Sequence, residues 1–162
     1  MLRELMKKKG RTIHPNTEAR AFTLQFLYQC EVEKIFYDSE SHFNYFVDSF
    51  AVENGISQVM RHYTKAIYKN FAIINQTIEA ASRNWTLARM PVTDRCVLRL
   101  AASELISGHN PEKVIINEAI ELARLYGTKD SASFVNAILD KIVKSGSLRN
   151  LEGEAQRQAN FR

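Results

Sequence analysis

Apolar residues recur at helical spacing along most of the chain, and no long Val/Ile/Thr-rich run alternates with polar residues as a half-buried strand would. Residues 17–34 place Ala19, Phe22, Thr23, Phe26, Leu27 and Cys30 on one face, a wide stripe suited to packing against other helices. A second helix is predicted from about Ser39 to Glu53, stopped at Asn54-Gly55, where both residues tolerate left-handed backbone. Ser57 then caps a long third helix to about Ser82, roughly 38 Å at 1.5 Å per residue. After Pro91 the pattern restarts, with Thr93 as N-cap. Helix 93–107 is apolar over most of its circumference and should be the central, most buried element. Gly108 closes it, and Asn110 and Pro111 open the next helix, with Glu112 in its first turn. Gly127 supplies a left-handed cap, and the Asp130 carboxylate caps a last helix, about 131–144.

The reading is all-α. The domain plan is a basic flexible arm at 1–15, one helical domain at 16–145 and a mobile tail at 146–162. The break at Pro91 divides the domain into halves 16–88 and 91–145. With 162 residues, 45% of them hydrophobic, the chain is long enough to bury one real core. No stretch approaches the roughly 20 apolar residues of a membrane span, and the N-terminus has no apolar signal core, so a cytoplasmic protein is expected. Cys30 and Cys96 have no metal-ligand spacing and read as buried free thiols.

The distribution of charge adds more than its sum. Residues 1–20 carry the whole net charge of +4, from Arg3, Lys7, Lys8, Lys9, Arg11 and Arg20 against two glutamates. A basic arm on a neutral body suits a polyanion such as nucleic acid; a solvated leader accounts for it as well.

Catalysis finds no support. The four histidines share no ligand spacing, and there is no phosphate loop, nucleophile elbow, metal site or cofactor fingerprint. Nucleic acid finds more. On the last helix Val135, Ile138, Leu139 and Ile142 centre the apolar face, while Phe134 lies about 90° away, nearly in line with Lys141. A ring beside a cation suits an unpaired base and its phosphate, although packing under a neighbouring loop fits Phe134 equally. Arg61, His62, Lys65 and Lys69, with Tyr68 at their edge, form a one-sided strip that reads first as a solvated face. Leu24 and Tyr28 lie off the stripe of the first helix, as a patch for a protein partner or as a second packing face.

Three stretches, "AFTLQFLYQCE", "NWTLARMPVTDRCVLRLAASEL" and above all "KVIINEAIELARLYGTKDSASFVNAILDKI", resemble the NusB family of bacterial transcription antitermination factors. The resemblance runs from about Arg20 to Ile142 and is strongest in the last 50 of those residues. It implies a compact bundle of about seven helices in two subdomains, without enzymatic activity or cofactor. It also implies an adaptor that pairs with NusE, a small-subunit ribosomal protein, and binds single-stranded boxA RNA. That pair acts on RNA polymerase in an antitermination complex, notably in rRNA operons. Carried over by motif, Asp130 and Phe134 approach RNA; the basic arm (Lys7, Lys8, Lys9, Arg11), Arg20 and Lys141 join the expected RNA contacts through their charge and position. Asp130, an anion, serves capping and positioning there. Tyr28, Val32 and Asp94 match positions near the partner protein, with Asp94 offered to an arginine across the interface. Many relatives start the first helix with several arginines; here Asn16, Thr17 and Glu18 stand there and only Arg20 remains. Two alternatives stay open: a structural or self-associating module with Leu24, Val114 and Leu125 exposed, which includes a homodimer, and an RNA-binding domain like that of some rRNA cytosine methyltransferases.

Overall fold

The computed structural model describes residues 13–83 and 85–148. Among them are seven α-helices, one 3-10 turn and no strand. The chain divides into two compact units, Met1–Tyr68 and Lys69–Arg162.

The first unit holds α1 (Pro15–Glu33), α2 (Glu40–Ser49) and nearly all of α3 (Asn54–Lys69). Pro15 does not separate an arm from α1 but begins it: proline suits the first turn, where no helical partner awaits its missing N–H. The neighbouring cap is His14, whose Nδ1 accepts from the Asn16 backbone N–H at 3.2 Å. Ser39 caps α2 through its hydroxyl, which accepts from the His42 N–H. Phe26 meets Phe43 and Phe46 edge-on at 5.4 and 5.3 Å, the aromatic centre of this unit. Helix α2 ends four residues sooner than the pattern predicts, at Ser49, with Ala51 taking positive φ (47°). Asn54-Gly55, expected as a stop, instead opens α3. The Ser57 hydroxyl donates to the Asn54 carbonyl within α3 and is no cap.

The long helix expected to Ser82 is two helices. It breaks at Asn70, and α4 (Phe71–Ala81) belongs to the second unit. An apolar period that continues across the break hides it from pattern reading, and the unit boundary accordingly falls at Tyr68/Lys69, ahead of Pro91.

The second unit continues through the 3-10 turn Leu87–Arg89 to α5 (Val92–Ser107), α6 (Glu112–Tyr126) and α7 (Ser131–Ser145). Helix α6 packs on α5 and α7, and α4 packs on both α5 and α7. As expected, α5 is deeply buried, with Cys96, Val97, Leu98, Leu100, Ala101 and Ala102 enclosed. Its Arg99 is also buried, the Nε donating to Asn75 Oδ1 at 2.9 Å and the guanidinium lying over the Phe71 ring. Pro91 takes the cap position expected of Thr93, and Pro111 that expected of Asn110. The Asn110 amide is used elsewhere, donating to Glu104 Oε2. Gly108 closes α5 with φ 64°, a backbone that glycine adopts without a Cβ penalty. Gly146 ends α7, and Leu148 beyond it is buried, so the segment after α7 begins as packed structure. Both cysteines are buried thiols outside any disulfide, and burial pushes the Cys30 thiol pKa up, which keeps it unreactive.

Candidate nucleic-acid interface

The turn between α6 and α7 sets the aim of the last helix. Gly127 does not adopt the left-handed conformation expected of it; its backbone is extended, with φ −94° and ψ −163°. Glycine is required there for space. A Cβ at residue 127 would lie 2.4 Å from Ser131 Oγ and 2.7 Å from the Ala123 carbonyl oxygen. Ser131 occupies that space and accepts from the Thr128 backbone N–H at 2.9 Å. Asp130 stands at the N-cap position and is exposed, but its side chain makes no capping bond; Ser131 supplies the turn's hydroxyl instead.

Asp94, in the first turn of α5, explains the rest of this junction. It is only 3% exposed, and the Ser131 hydroxyl is its hydrogen-bond partner. Burial raises its carboxyl pKa, and the Ser131 bond pulls it partly back. Its Oδ1 has no hydrogen-bond partner among the described residues. A carboxylate so enclosed cannot reach an arginine on another protein. The partner-contact expectation for Asp94 is therefore replaced by a positioning role, joining the start of α5 to the start of α7.

From that anchored start α7 buries Val135, Ile138, Leu139 and Ile142 and leaves Phe134 half-buried at the surface. Phe134 is neither a core residue nor a bare one. The chain's single tryptophan, Trp85, leans on it edge to face, with centroids 6.3 Å apart. Trp85 is 46% exposed, and the Arg89 guanidinium lies 5.6 Å from its ring centroid. The segment that carries both is held firmly. Trp85 N–H donates to the Ser82 carbonyl at 2.8 Å, Leu87 N–H to Glu79 Oε1 at 3.0 Å, and the Arg95 guanidinium to the Met90 carbonyl at 2.8 Å. Lys141, two turns beyond Phe134, is exposed on α7. The structure thus brings together Phe134, Trp85 and Arg89. Trp85 and Arg89 escaped the periodicity argument because they lie in the short connection and 3-10 turn before α5, where α-helical spacing carries no information; their four-residue separation in "NWTLAR" is the signal available.

Other expected contacts separate from this group. Arg20 is buried, 3% exposed, with its guanidinium over the Tyr63 ring of the first unit. It is an internal residue here and offers no free charge to a phosphate. Lys7, Lys8, Lys9 and Arg11 lie outside the described residues. In the Arg61 strip, Arg61 is committed to α2: it pairs with Glu40, donates to Asn44 Oδ1 at 2.8 Å and covers the Phe43 ring. His62, Lys65 and Lys69 remain a solvent-facing edge.

A second exposed surface lies on the first unit. Tyr28 and Val32, one helical turn apart on α1, are 46% and 63% exposed, and Phe36 and Tyr37 follow them at the surface. Leu24, grouped with Tyr28 by the sequence pattern, is instead buried at 2%, because α1 is enclosed on more sides than its main stripe.

Among the described residues no cluster of His, Cys, Asp or Glu could hold a metal ion, and no helix is long and apolar enough to cross a membrane. Fold and surface together define an all-helical protein whose most distinctive exposed feature is an aromatic pair backed by a cation. A family model described as the NusB family matches residues 17–144. The transcription antitermination protein NusB of Desulfitobacterium hafniense (strain DSM 10664 / DCB-2) is 37% identical over 136 residues, 83% of this chain and 92% of that protein. The protein of the same name from Anaeromyxobacter sp. (strain Fw109-5) is 42% identical over 127 residues, 78% and 87% of the two chains. Among solved structures, T. maritima NusB superposes with a TM-score of 0.73 at 35% identity, over 82% of this chain and 93% of that one. NusB in a crystal structure of the antitermination factors NusB and NusE in complex with dsRNA gives 0.73 at 19% identity, over 83% and 99%, a likeness of fold. The chain belongs to the NusB family, a family of transcription antitermination factors and not of enzymes.

Proposed function

We propose that this protein is a cytoplasmic RNA-binding adaptor of transcription antitermination. It acts with a NusE-type ribosomal protein on single-stranded boxA RNA, so that RNA polymerase reads through, notably in rRNA operons. The observation that carries this reading is Phe134, held out of the α7 core beside Trp85 and Arg89 in a chain of the NusB family. An aromatic pair offers bases a stacking face, and the guanidinium beside it offers phosphate a charge. Asp130, exposed and uncapping at the head of α7, repels phosphate and so narrows where a strand crosses the turn. The basic arm, with Lys7, Lys8, Lys9 and Arg11, adds phosphate contacts of no sequence preference. Tyr28 and Val32 present the protein-partner surface, an aromatic and aliphatic patch whose flanking Glu31 and Glu33 disfavour phosphate.

Titration of labelled boxA-type RNA with and without NusE, beside a scrambled RNA, tests the reading. Selective binding that tightens with NusE is expected, along with a steep loss of affinity from about 50 to 200 mM salt. Equal affinity for both RNAs under every condition would overturn it. A homodimer is a second reading, carried by Val114 and Leu125, which are exposed on α6 and eleven residues apart, close to one face. Sedimentation as a monomer at high concentration would remove it.

A further inference from the structure

The ends of α4 and α7 enclose a groove of about 560 Å³ within the second unit. Its floor includes Thr77, Ala80 and Ala81, and its rim carries Arg83, Lys141 and Lys144. Among the described residues no acidic side chain lines it. Lys144 bonds Asp140 at 2.7 Å, but that pair is well exposed and on one helix, so it holds the lysine only weakly. The groove is positioned by the same two segments that build the aromatic pair. Arg83 lies two residues before Trp85, and Lys141 lies seven residues after Phe134, about 10 Å along nearly the same face of α7. Three cations around a floor of small apolar side chains match a nucleotide chain, with phosphates at the rim and a base over the alanines. An acidic protein segment would also meet the rim, but the Trp85–Phe134 aromatic pair carried by the same two segments favours a nucleotide chain.

We propose that this groove is the continuation of the RNA path beyond Phe134, with Arg83, Lys141 and Lys144 binding backbone phosphates. The inference rests on the adaptor reading and adds to it a direction, from the aromatic pair toward the C-terminal end of α7, and two cations, Arg83 and Lys144, to which the resemblance gives no role.

The test uses the full chain with NusE and a labelled single-stranded boxA-type RNA long enough to extend past both ends of the motif. The variant Arg83→Ala/Lys141→Ala/Lys144→Ala is compared with Phe134→Ala and with a control that removes three cations elsewhere, Lys34→Ala/Lys65→Ala/Lys69→Ala. All changes in the two triple variants are at exposed positions, so folding should be retained, and a thermal melt checks it. For the groove variant the affinity should fall at least about tenfold, and the slope of log affinity against log salt should shrink by about 2, near 0.7 per lost contact. The control should change little. If the groove variant binds like the parent while Phe134→Ala is weakened, the groove proposal is overturned and the adaptor reading stands. If the control falls as far as the groove variant, net charge alone is responsible and the groove is again overturned. If neither the groove variant nor Phe134→Ala weakens binding, both the groove and the RNA surface are overturned.

Discussion

Both units expose aromatic residues, but in different company. On α1, Tyr28 and Val32 lead to Phe36 and Tyr37. On the second unit, Phe134 and Trp85 have Arg89 against the indole and a basic groove close by in the chain. Exposed apolar surface by itself says that something binds; the neighbouring charge says what kind of thing. A protein interface excludes water around uncharged anchors, whereas a nucleic-acid strand brings a phosphate with every base. On the proposed function, the α1 patch meets a protein partner and the α7 surface meets RNA.

The most severe way to disturb the RNA side is at the turn beneath it. Gly127→Ala would drive a methyl group into Ser131 and the Ala123 carbonyl, so a stability loss of about 1 to 3 kcal/mol is expected. Denaturant midpoints measure it, and RNA affinity should fall along with them because α7 starts from this turn. An unchanged midpoint would mean that the turn yields and does not set the aim of Phe134.

The comparison itself is broken or sharpened by paired surface substitutions. Phe134→Ala should lose about 1 to 3 kcal/mol of RNA binding with a nearly unchanged melting temperature. Tyr28→Ala should leave RNA binding by the protein alone intact and weaken NusE binding by about 1 to 2 kcal/mol. Calorimetry with each partner separates the two, and a variant that affected both partners equally would erase the division of labour.

The smallest expected effect is at Asp94. Burial raises its folded pKa above the ordinary carboxylate value, so the folded chain keeps the proton to higher pH than the unfolded chain does. Stability should therefore decline as pH rises from the ordinary carboxylate value through the raised one and then level off. Asp94→Asn should remove that part of the decline. Melts across about pH 4 to 7 would show it, and an unaltered profile would place the carboxylate in solvent.

Much of this molecule was legible in its residues. The all-helical class, the depth of α5, the buried face of α7 and the displacement of Phe134 all follow from apolar spacing, because a helix that packs on one side must show its period in the chain. Where spacing is silent the reading failed. The break at Asn70 lies within a continuing period, and the extended Gly127 is forced by a serine four residues on. Arg20 and Asp94, charged residues that composition assigns to the surface, are held inside by Tyr63 and Ser131 respectively.

Periodicity is a property of one helix, and it was enough to say which side of α7 turns inward. Which elements meet is a property of the whole fold. Only packing could lay the Trp85 segment, 49 residues earlier in the chain, against Phe134 and open a basic groove beside them. No local pattern records a contact between residues so far apart, because the free energy that selects it comes from burying α4, α5, α6 and α7 together.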